Sequence, residues 1–357
     1  MAVCRGTLFS IISLYSIQRN MGDRITVKEF SQIYVTSVAE ALERVVPRQH
    51  VIVITDANID RLYGELVHRY DYIIVGHGEA NKNLVTVQNV YTRLMELGAD
   101  RHTFLLGIGG GIVTDITGYV AATYMRGIDF GFISTTLLGQ VDASVGGKNG
   151  VNLAGYKNMI GTFRQPRFVV SDVELLKTLP QRELRAGMAE VIKVAVVGDA
   201  NLFHYLEEHA SGDIYGDAEV MREVVLRSVR IKADIVERDE CERGLRRLLN
   251  LGHTIGHAVE KCTREFNHGE AVAIGMSLIA RMAERVGMLP SSEARRIEAL
   301  IDAFGFEREL PVPMADVMRE IRYDKKKSDN NIRVVVPESI GSCKIVEMTF
   351  DEFEKLF

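Results

Sequence analysis

The sequence of 357 residues lacks tryptophan, contains only four cysteines, and has no apolar run long enough for a membrane span. A transmembrane helix needs about 18 consecutive apolar residues, so none is expected. The cysteines are Cys4, Cys241, Cys262 and Cys343, and no two of them form a Cys-x-x-Cys motif. This use of cysteine is typical of a reducing compartment rather than of disulfide-stabilised secreted proteins. The sequence therefore predicts a cytoplasmic protein.

An excess of basic residues is also missing. The formal net charge is -5 and the pI is about 6.0. A surface that follows nucleic-acid phosphates needs clustered lysine and arginine, so nucleic acid is not an expected partner. Apolar residues make up 46% of the chain and charged residues 25%, which is typical of a globular protein. The length favours two domains over one.

The first twenty residues differ from those that follow. Residues 8–17 are moderately apolar and follow Arg5, as in a signal peptide, but serines interrupt them and no small-residue cleavage site precedes Met21. We therefore expect residues 1–20 to form a poorly ordered extension ahead of the folded part. Either Met1 or Met21 fits as the natural start of translation.

Two kinds of sequence pattern meet near residues 177–183. Before that point short apolar runs alternate with helix-like segments, and the runs occupy residues 51–55, 72–75, 103–108, 130–134 and 168–171. Runs that are apolar nearly throughout are typical of parallel strands covered on both faces. Beyond the meeting point the chain is rich in Ala, Glu, Arg and Leu, with no comparable run before residues 332–336. We predict an α/β domain over residues 21–178 and a mainly helical domain over residues 179–357.

A polar stripe lies in the second half. If residues 244–261 form one helix, Arg246, Asn250, His253 and His257 follow at offsets of four, three and four, and they share one face. Leucines and an isoleucine on the other sides would make the core contacts. The polar face is therefore expected to line a cavity.

Glycines mark two places where a ligand or another backbone comes close. Residues 107–118 form a glycine-rich turn between a predicted strand and a helix, where the helix N-terminus would face a pyrophosphate. The alternative is a tight turn that needs positive φ. On the proposed helix, Gly252 and Gly256 lie one turn apart, and they predict the close approach of a ligand or of another backbone.

Lysines flanked by glycines suggest a phosphate site. Asp142, Lys148, Lys157 and Asn158 fall in glycine-rich segments that we predict to be loops. Loop N–H groups and a mobile ammonium suit phosphate oxygens. The alternative is solvated loop charge.

One carboxylate and several histidines suggest a metal site. Glu190 and Lys193 lie one turn apart on a predicted helix, within an apolar stretch. Glu190 with His253 and either His257 or His268 would suit zinc with one position open for substrate. A purely structural histidine pair is the alternative. No His-Glu-x-x-His motif occurs, so a metalloprotease would lack its general base.

Five motifs together resemble those of the dehydroquinate synthase family. They are Gln140-Val-Asp-Ala-Ser-Val-Gly-Gly-Lys, residues 155–161, Ala189-Glu-Val-Ile-Lys, Asn250-Leu-Gly-His-Thr-Ile-Gly-His and His268-Gly-Glu-Ala-Val-Ala. The resemblance runs from about residue 56 to residue 327. It implies an N-terminal NAD-binding α/β domain with a parallel-type sheet, a mainly α-helical C-terminal metal-binding domain, and an active site in the cleft between them.

The same resemblance implies roles for individual residues. The zinc ligands are Glu190, His253 and His268, which leaves His257 as a polar residue of the active site. The NAD-binding residues are Asp56, Glu79, Lys82, Gly109, Gly110, Gly111, Asp115, Thr135, Thr136, Lys157 and Thr178. The substrate-binding residues are Asp142, Lys148, Asn158, Lys193, Lys232, Arg246, Asn250, His257 and one of Lys325 or Lys326. Arg126 reaches into the site of a neighbouring protomer, so a homodimer is expected.

The implied reaction converts the sugar phosphate DAHP into 3-dehydroquinate and phosphate in the shikimate pathway. NAD would be reduced and reoxidised within one turnover, and zinc, or cobalt in its place, would act as a Lewis acid. Two alternative enzymes are another NAD- and metal-dependent sugar-phosphate cyclase and a metal-dependent polyol or alcohol dehydrogenase. Lys148, Lys157 and Arg246 argue against a small neutral alcohol as substrate. A non-enzymatic metal-binding protein would leave Arg246, Asn250 and Lys193 without a purpose.

Overall fold

The structure is a computed structural model that describes residues 23–28, 31–263, 265–325 and 331–357. The predicted extension over residues 1–20 and the candidate substrate ligand Lys326 lie outside the described residues. Within the described ranges, no helix combines the length and the apolar composition needed to cross a membrane.

A seven-stranded sheet organises the first half. Its strands are β1 (Asp23–Val27), β2 (Ser31–Val35), β3 (Val51–Asp56), β4 (Asp71–Val75), β5 (Phe104–Gly109), β6 (Phe130–Ser134) and, after a separate hairpin, β9 (Phe168–Ser171). The order is β1-β2-β9-β6-β5-β3-β4, and all pairs are parallel except β1 with β2. The five apolar runs are the strands β3, β4, β5, β6 and β9, so the predicted parallel sheet is confirmed.

Position in the sheet decides how far each strand is buried. The side chains of β3 and β5 are buried on both faces because these strands lie in the interior of the sheet. Strand β4 forms an edge, and Tyr72 and Ile74 remain 39% and 44% exposed. The prediction of cover on both faces is therefore wrong for β4, since an edge strand is partly open to solvent.

Two hairpins stand apart from the sheet. One pairs β7 (Lys148–Leu153) with β8 (Tyr156–Phe163), and the other pairs β10 (Asn331–Ser339) with β11 (Ser342–Thr349). Lys148, Lys157 and Asn158 therefore lie in strands, and Asp142 lies in a π-helical turn, Gly139–Ala143. The prediction that these residues lie in loops is therefore wrong. Strand β8 could not be recognised from the sequence, because it is mostly exposed and shows no apolar alternation.

Helices fill the faces of the sheet and most of the second half. In the first half they are α1 (Val38–Arg44), α2 (Ala57–Val67), α3 (Leu84–Glu96) and α4 (Gly111–Thr123). In the second half they are α5 (Gln181–Gly198), α6 (Ala200–His209), α7 (Ala218–Arg238), α8 (His253–Cys262), α9 (His268–Arg285), α10 (Ser291–Ala303), α11 (Met314–Lys325) and α12 (Phe350–Glu354). Helices α5 and α9 are buried along most of their length and pack on each other. The π-helical turn contacts α4, α5 and α7, so the two halves meet beside Asp142.

Residues 244–261 do not form one helix. A 3₁₀ segment, Leu245–Asn250, is followed by Leu251 in an extended conformation and by Gly252 at φ 77°, and α8 begins only at His253. The predicted continuous stripe is wrong because Gly252, in the left-handed conformation, interrupts the helical backbone there. The predicted backbone approach is confirmed, since a Cβ on Gly252 would lie 2.7 Å from the carbonyl oxygen of Val272.

Candidate active site

Three helices bring together Glu190, His253 and His268. Glu190 lies within α5, while His253 and His268 are the first residues of α8 and α9. Oε1 of Glu190 lies 3.6 Å from Nε2 of His253 and 3.4 Å from Nε2 of His268. One ligand atom from each residue lies within 4.8 Å of the other two. A carboxylate and two imidazoles form a donor set that zinc binds with a further position for substrate.

The outer nitrogen of each ring has its own partner. Nδ1 of His253 lies 3.1 Å from the carbonyl oxygen of Leu251, and Nδ1 of His268 lies 3.4 Å from Oε2 of Glu260. Each partner can accept a hydrogen bond from Nδ1–H, which leaves the Nε2 lone pair directed at the common centre. Such partners are typical of metal-binding histidines, because they fix the tautomer and the ring orientation.

The Glu190 carboxylate supports binding of a cation at this centre. Oε1 is buried without a donor in hydrogen-bonding geometry among the described residues, whereas Oε2 accepts from Nζ of Lys193. A buried carboxylate oxygen without a partner is costly unless a cation is bound to it. Burial alone would raise the pKa of Glu190, but Lys193 and the two histidines lower that pKa well below its usual range. The residues present therefore fit a divalent metal ion.

The two histidines titrate differently without the metal. Burial lowers the pKa of His253 to about 3, although the Glu190 carboxylate opposes this shift. Burial would also lower the pKa of His268, but the nearby Glu190 and Glu260 carboxylates raise it to about 9. At neutral pH a metal ion must therefore displace a proton from His268.

His257 lies close to this set without completing it. Its ring centroid is 5.3 Å from that of His253, one turn earlier on α8. His257, Glu260 and His268 form a second group whose ligand atoms lie within 4.8 Å of one another. Glu260, however, already pairs with Lys157, at 2.8 Å between Nζ and Oε1, and with His268. The set around Glu190 is the better site, because it contains the unpartnered carboxylate oxygen.

A chain of charges leads away from Glu190. Nζ of Lys193 lies 3.8 Å from Oδ1 of Asp142, and Nζ of Lys232 lies 2.7 Å from the same oxygen. Burial raises the pKa of Asp142, but the two ammonium groups bring it down to about 2. Burial lowers the pKa of Lys232 to about 8, despite the opposing effect of Asp142. Lys232 therefore changes charge close to neutral pH.

Arg246 lies at the far side of this chain of charges. Its guanidinium is buried, and Nη1 donates to the carbonyl oxygen of Gly146 at 2.9 Å. Together with Asp142, Asn158 and Lys232 it lines a cavity of about 420 Å³. The cavity thus has a buried guanidinium and a buried ammonium in its wall, which suits an anionic ligand.

Lys148 joins this cavity to a second one. It lines both the first cavity and a cavity of about 670 Å³ that also contacts Asn250, His253 and His257. At the junction the Glu242 carboxylate accepts from Lys148 and from Nδ2 of Asn250, the latter at 2.5 Å. Burial would raise the pKa of Glu242, but Lys148 and Asn250 lower it, so the group is ionised.

The candidate NAD-binding residues lie at the carboxyl ends of strands. Gly109 ends β5, and Thr135 and Thr136 follow β6. Helix α4 begins at Gly111 with Gly110 as its N-cap, and no side chain caps its first N–H groups. An uncapped helix N-terminus at this edge suits a phosphate group. Gly109, Gly110 and Gly111 do not have positive φ. Glycine is required here by close packing instead, since a Cβ on Gly110 would lie 2.8 Å from Cγ2 of Thr136.

Further candidate residues meet beside this edge. Lys82 is buried, forms an ion pair with Asp115, and donates to Oδ1 of Asn158 at 2.6 Å. Burial raises the pKa of Asp115 to about 6, although Lys82 opposes the shift. Asp56 ends β3, and its carboxylate accepts from the N–H groups of Asn58 and Ile59, so it caps α2.

Some candidate residues remain outside the assembled set. Thr178 hydrogen-bonds to the hydroxyl of Tyr63 at 2.7 Å rather than to another candidate residue. Arg126 is exposed, has φ 70°, and is absent from the linings of both described cavities. Lys325 ends α11, while Lys326 lies beyond the described part of the chain.

Three polar residues of the site were not predicted from the sequence. Glu260 lies three residues after His257 on α8, so helical spacing could have identified it. Glu242 lies in the charged segment Arg238-Asp-Glu-Cys-Glu-Arg, which resembles any solvated turn. Asn152, which donates to Oε1 of Glu79 at 2.8 Å, gives no signal in the sequence.

Comparison with known sequences gives a consistent match over most of the chain. Residues 72–186 match the model for the 3-dehydroquinate synthase N-terminal domain, and residues 187–327 match that for the C-terminal domain. A 3-dehydroquinate synthase of Pelotomaculum thermopropionicum is 45% identical over 307 residues, or 83% of each chain. One of Acidithiobacillus ferrooxidans is 43% identical over 306 residues, covering 83% of this chain and 84% of the relative.

Solved structures share the fold. A 2-epi-5-epi-valiolone synthase from Streptomyces hygroscopicus, with NAD+ and Zn2+ bound, has a TM-score of 0.82 at 29% identity and covers 97% of this chain and 98% of its own. A 2-deoxy-scyllo-inosose synthase, complexed with carbaglucose-6-phosphate, NAD+ and Co2+, has a TM-score of 0.84 at 23% identity, with 94% and 99% covered. An iron-containing alcohol dehydrogenase from Corynebacterium glutamicum has a TM-score of 0.64 at 15% identity, with 95% and 96% covered. The fold is therefore an α/β domain followed by a mainly helical part, as predicted.

Proposed function

The chain belongs to the 3-dehydroquinate synthase family, and from that premise we propose that it converts DAHP into 3-dehydroquinate and phosphate. The observation that carries the proposal is the position of Lys148. This lysine joins a cavity containing His253 to a cavity containing Lys232 and Arg246. A metal site, a phosphate site and a carboxylate site thus share one cleft, as a substrate with both anionic groups requires.

We propose that the protein binds zinc through Glu190, His253 and His268, and NAD at the N-terminus of α4. When bound, NAD would remove and return a hydride, and zinc would supply a Lewis acid for substrate oxygens. Lys193 donates to Glu190 and lies 3.8 Å from Asp142. It would hold the carboxylate ligand in place and present an ammonium proton to a substrate hydroxyl.

Two cationic groups would bind the substrate carboxylate. Lys232 and Arg246 are both buried in the wall of the smaller cavity, where desolvation strengthens their attraction for an anion. Asp142 holds Lys232 by its carboxylate and by its carbonyl oxygen, at 2.7 and 2.6 Å. The ammonium group is therefore fixed before the substrate arrives, which lowers the entropic cost of binding.

The phosphate would bind at Lys148 and Asn158, with His257 and one of Lys325 or Lys326 nearby. Lys148 pairs with Glu242 in the structure, so a phosphate dianion would have to replace that carboxylate or share the ammonium with it. Glu242 is ionised and lines the larger cavity beside Lys148, which places it as a candidate acceptor for the proton released during elimination, although its lowered pKa makes it a weak base. The substrate phosphate remains the competing acceptor.

We also propose a homodimer in the cytoplasm with two domains that meet at residues 178–179. The exposure of Arg126 away from both cavities of its own chain supports a role in a neighbouring protomer's site. The free thiols of Cys241, Cys262 and Cys343 fit a reducing compartment. The two family models adjoin at residues 186 and 187, close to the proposed boundary.

The alternative enzymes receive weaker support. The solved 2-deoxy-scyllo-inosose synthase and 2-epi-5-epi-valiolone synthase are 23% and 29% identical to this chain, below the 43% and 45% of the 3-dehydroquinate synthases. The alcohol dehydrogenase shares only the fold. Incubation with DAHP, NAD and zinc, followed by identification of the carbocyclic product, tests the proposal. Formation of 3-dehydroquinate supports it, and an absence of turnover by the zinc-loaded protein contradicts it.

A further inference from the structure

Asn152 connects two parts of the site that the proposed function assigns to different ligands. Its Nδ2 donates to Oε1 of Glu79, and its Oδ1 accepts from the backbone N–H of Asn158, both at 2.8 Å. We infer that Asn152 is a positioning residue that orients Asn158 for the substrate phosphate and couples phosphate binding to NAD binding. The inference rests on the proposed function for the identity of the two ligands.

A break in the hairpin frees Asn152 for this role. Val151 pairs with Ile160, and Leu153 pairs with Tyr156, so the register of β7 and β8 shifts at Asn152. The N–H of Asn152 donates instead to the carbonyl oxygen of Lys82 at 2.8 Å, and its backbone bridges to that of Asn83. Both the backbone and the side chain of Asn152 therefore attach the hairpin to the segment over residues 79–83.

Asn158 needs such support because its backbone is strained. It has φ 51°, in the left-handed region that non-glycine residues rarely adopt, although asparagine tolerates it better than most. The hydrogen bond from its N–H to Asn152 fixes the backbone, and the hydrogen bond from Lys82 to its Oδ1, at 2.6 Å, fixes the side chain. The direction of the Asn158 amide depends on both neighbours.

The coupling follows from this shared support. Glu79 and Lys82 belong to the candidate NAD site, while Asn158 belongs to the candidate phosphate site. A ligand that orders Glu79 and Lys82 would also order Asn158 through Asn152, so the second ligand would lose less entropy on binding. Coupling of two binding equilibria is reciprocal. Phosphate must therefore increase the affinity for NAD by the same factor by which NAD increases the affinity for phosphate.

Titration calorimetry on the zinc-loaded protein tests this inference with NAD and inorganic phosphate as probes. The dissociation constant for NAD is measured with and without saturating phosphate, and the ratio of the two values measures the coupling. For the wild type we expect phosphate to tighten NAD about fivefold or more. For Asn152→Ala we expect a ratio within about twofold of one, while the affinity for NAD alone changes less than about threefold.

A second variant separates the two hydrogen bonds. Asn152→Asp keeps the acceptor for Asn158 but loses the donor to Glu79 and places two carboxylates together. We expect it to bind phosphate more tightly than Asn152→Ala yet to lack the coupling. Asn201→Ala, at an exposed position on α6, should keep the wild-type ratio.

Zinc content and melting temperature establish that each variant is folded before it is titrated. The inference is overturned if Asn152→Ala keeps the wild-type ratio of NAD dissociation constants. It is also overturned if the wild-type protein binds NAD and phosphate without coupling. In both cases the proposed function stands, since both probes bind. A wild-type protein that does not bind NAD contradicts the proposed function and, with it, the inference. Loss of coupling in both Asn152 variants, with the coupling unchanged in Asn201→Ala, supports the inference.

Discussion

Oε1 of Glu190 lies 3.4 Å from Nε2 of His268, and no donor satisfies this buried oxygen among the described residues. The other nitrogen of His268 faces Glu260, and the other oxygen of Glu190 accepts from Lys193. Each group is therefore held by an outer partner and directed at the same point. The same geometry holds an ion pair between protonated His268 and Glu190 without the metal, and a bound metal ion would take the place of that proton.

Replacing His253 should remove the metal, whereas replacing His257 should not. The two histidines lie one turn apart on α8, and Nε2 of His253 lies 3.6 Å from Oε1 of Glu190. Because loss of an outer partner already costs 10–100-fold in metal affinity, His253→Ala should weaken zinc binding by more than about 100-fold. Metal analysis after dialysis checks this result. His257→Ala is the matched control, and equal loss from both variants would rule out the assigned ligand set.

Zinc binding should release about one proton at pH 7. Burial opposes a charge on His268, but the Glu190 and Glu260 carboxylates raise its pKa to about 9, so the metal-free site holds a proton there. Burial lowers the pKa of His253 to about 3. Zinc affinity should therefore rise with pH until about pH 9. Calorimetry in two buffers of different ionisation enthalpy measures the released proton. Buffer-independent binding enthalpy at pH 7 would show that His268 is not a ligand or is already neutral.

The alkaline limit of substrate binding should reflect Lys232. Burial lowers the pKa of this lysine to about 8, and only the charged form attracts a carboxylate. The value of kcat/KM for DAHP should therefore fall above about pH 8. In Lys232→Arg the guanidinium stays charged, since its ordinary pKa lies above about 12, and the fall should move upward. Lys344→Arg, at a lysine on β11 whose side chain is 41% exposed, is the control. Identical pH profiles for wild type and Lys232→Arg would exclude this role.

Loss of Arg246 should impair turnover without loss of zinc. A charge-assisted hydrogen bond contributes about 1.5–3 kcal/mol, so Arg246→Leu should lower kcat/KM for DAHP by roughly 100-fold. A sugar phosphate without a carboxylate should be a poor substrate for the wild type for the same reason. The melting temperature must be compared too, because Arg246 also donates to the carbonyl oxygen of Gly146. If DAHP turnover is unaffected by the substitution, the carboxylate is bound elsewhere.

The sequence predicted the parts of the fold that burial dictates. Strands β3, β5, β6 and β9 are apolar because both faces are covered, and this pattern can be seen without a structure. The hairpin of β7 and β8 was missed, since its exposed strand has no apolar alternation. The helix over residues 244–261 was wrong because one left-handed glycine, Gly252, outweighs a helical spacing of polar residues.

The site was predictable only where the residue type is itself diagnostic. Glu190, His253 and His268 could be proposed from ligand chemistry and from the family resemblance. Glu242 and Asn152 could not, because their roles depend on where the chain brings them. Glu242 contacts Lys148 across the meeting of two halves of the chain, and Asn152 contacts Glu79 through a register shift.

The most direct test of the proposed reaction follows phosphate release and absorbance of NADH together during turnover of DAHP. The zinc-loaded protein is supplied with NAD far below the substrate concentration. We expect one phosphate released for each DAHP consumed, formation of 3-dehydroquinate, and no net NADH, because the hydride returns within each turnover. NADH formed in proportion to substrate, or consumption of DAHP without phosphate release, would contradict it.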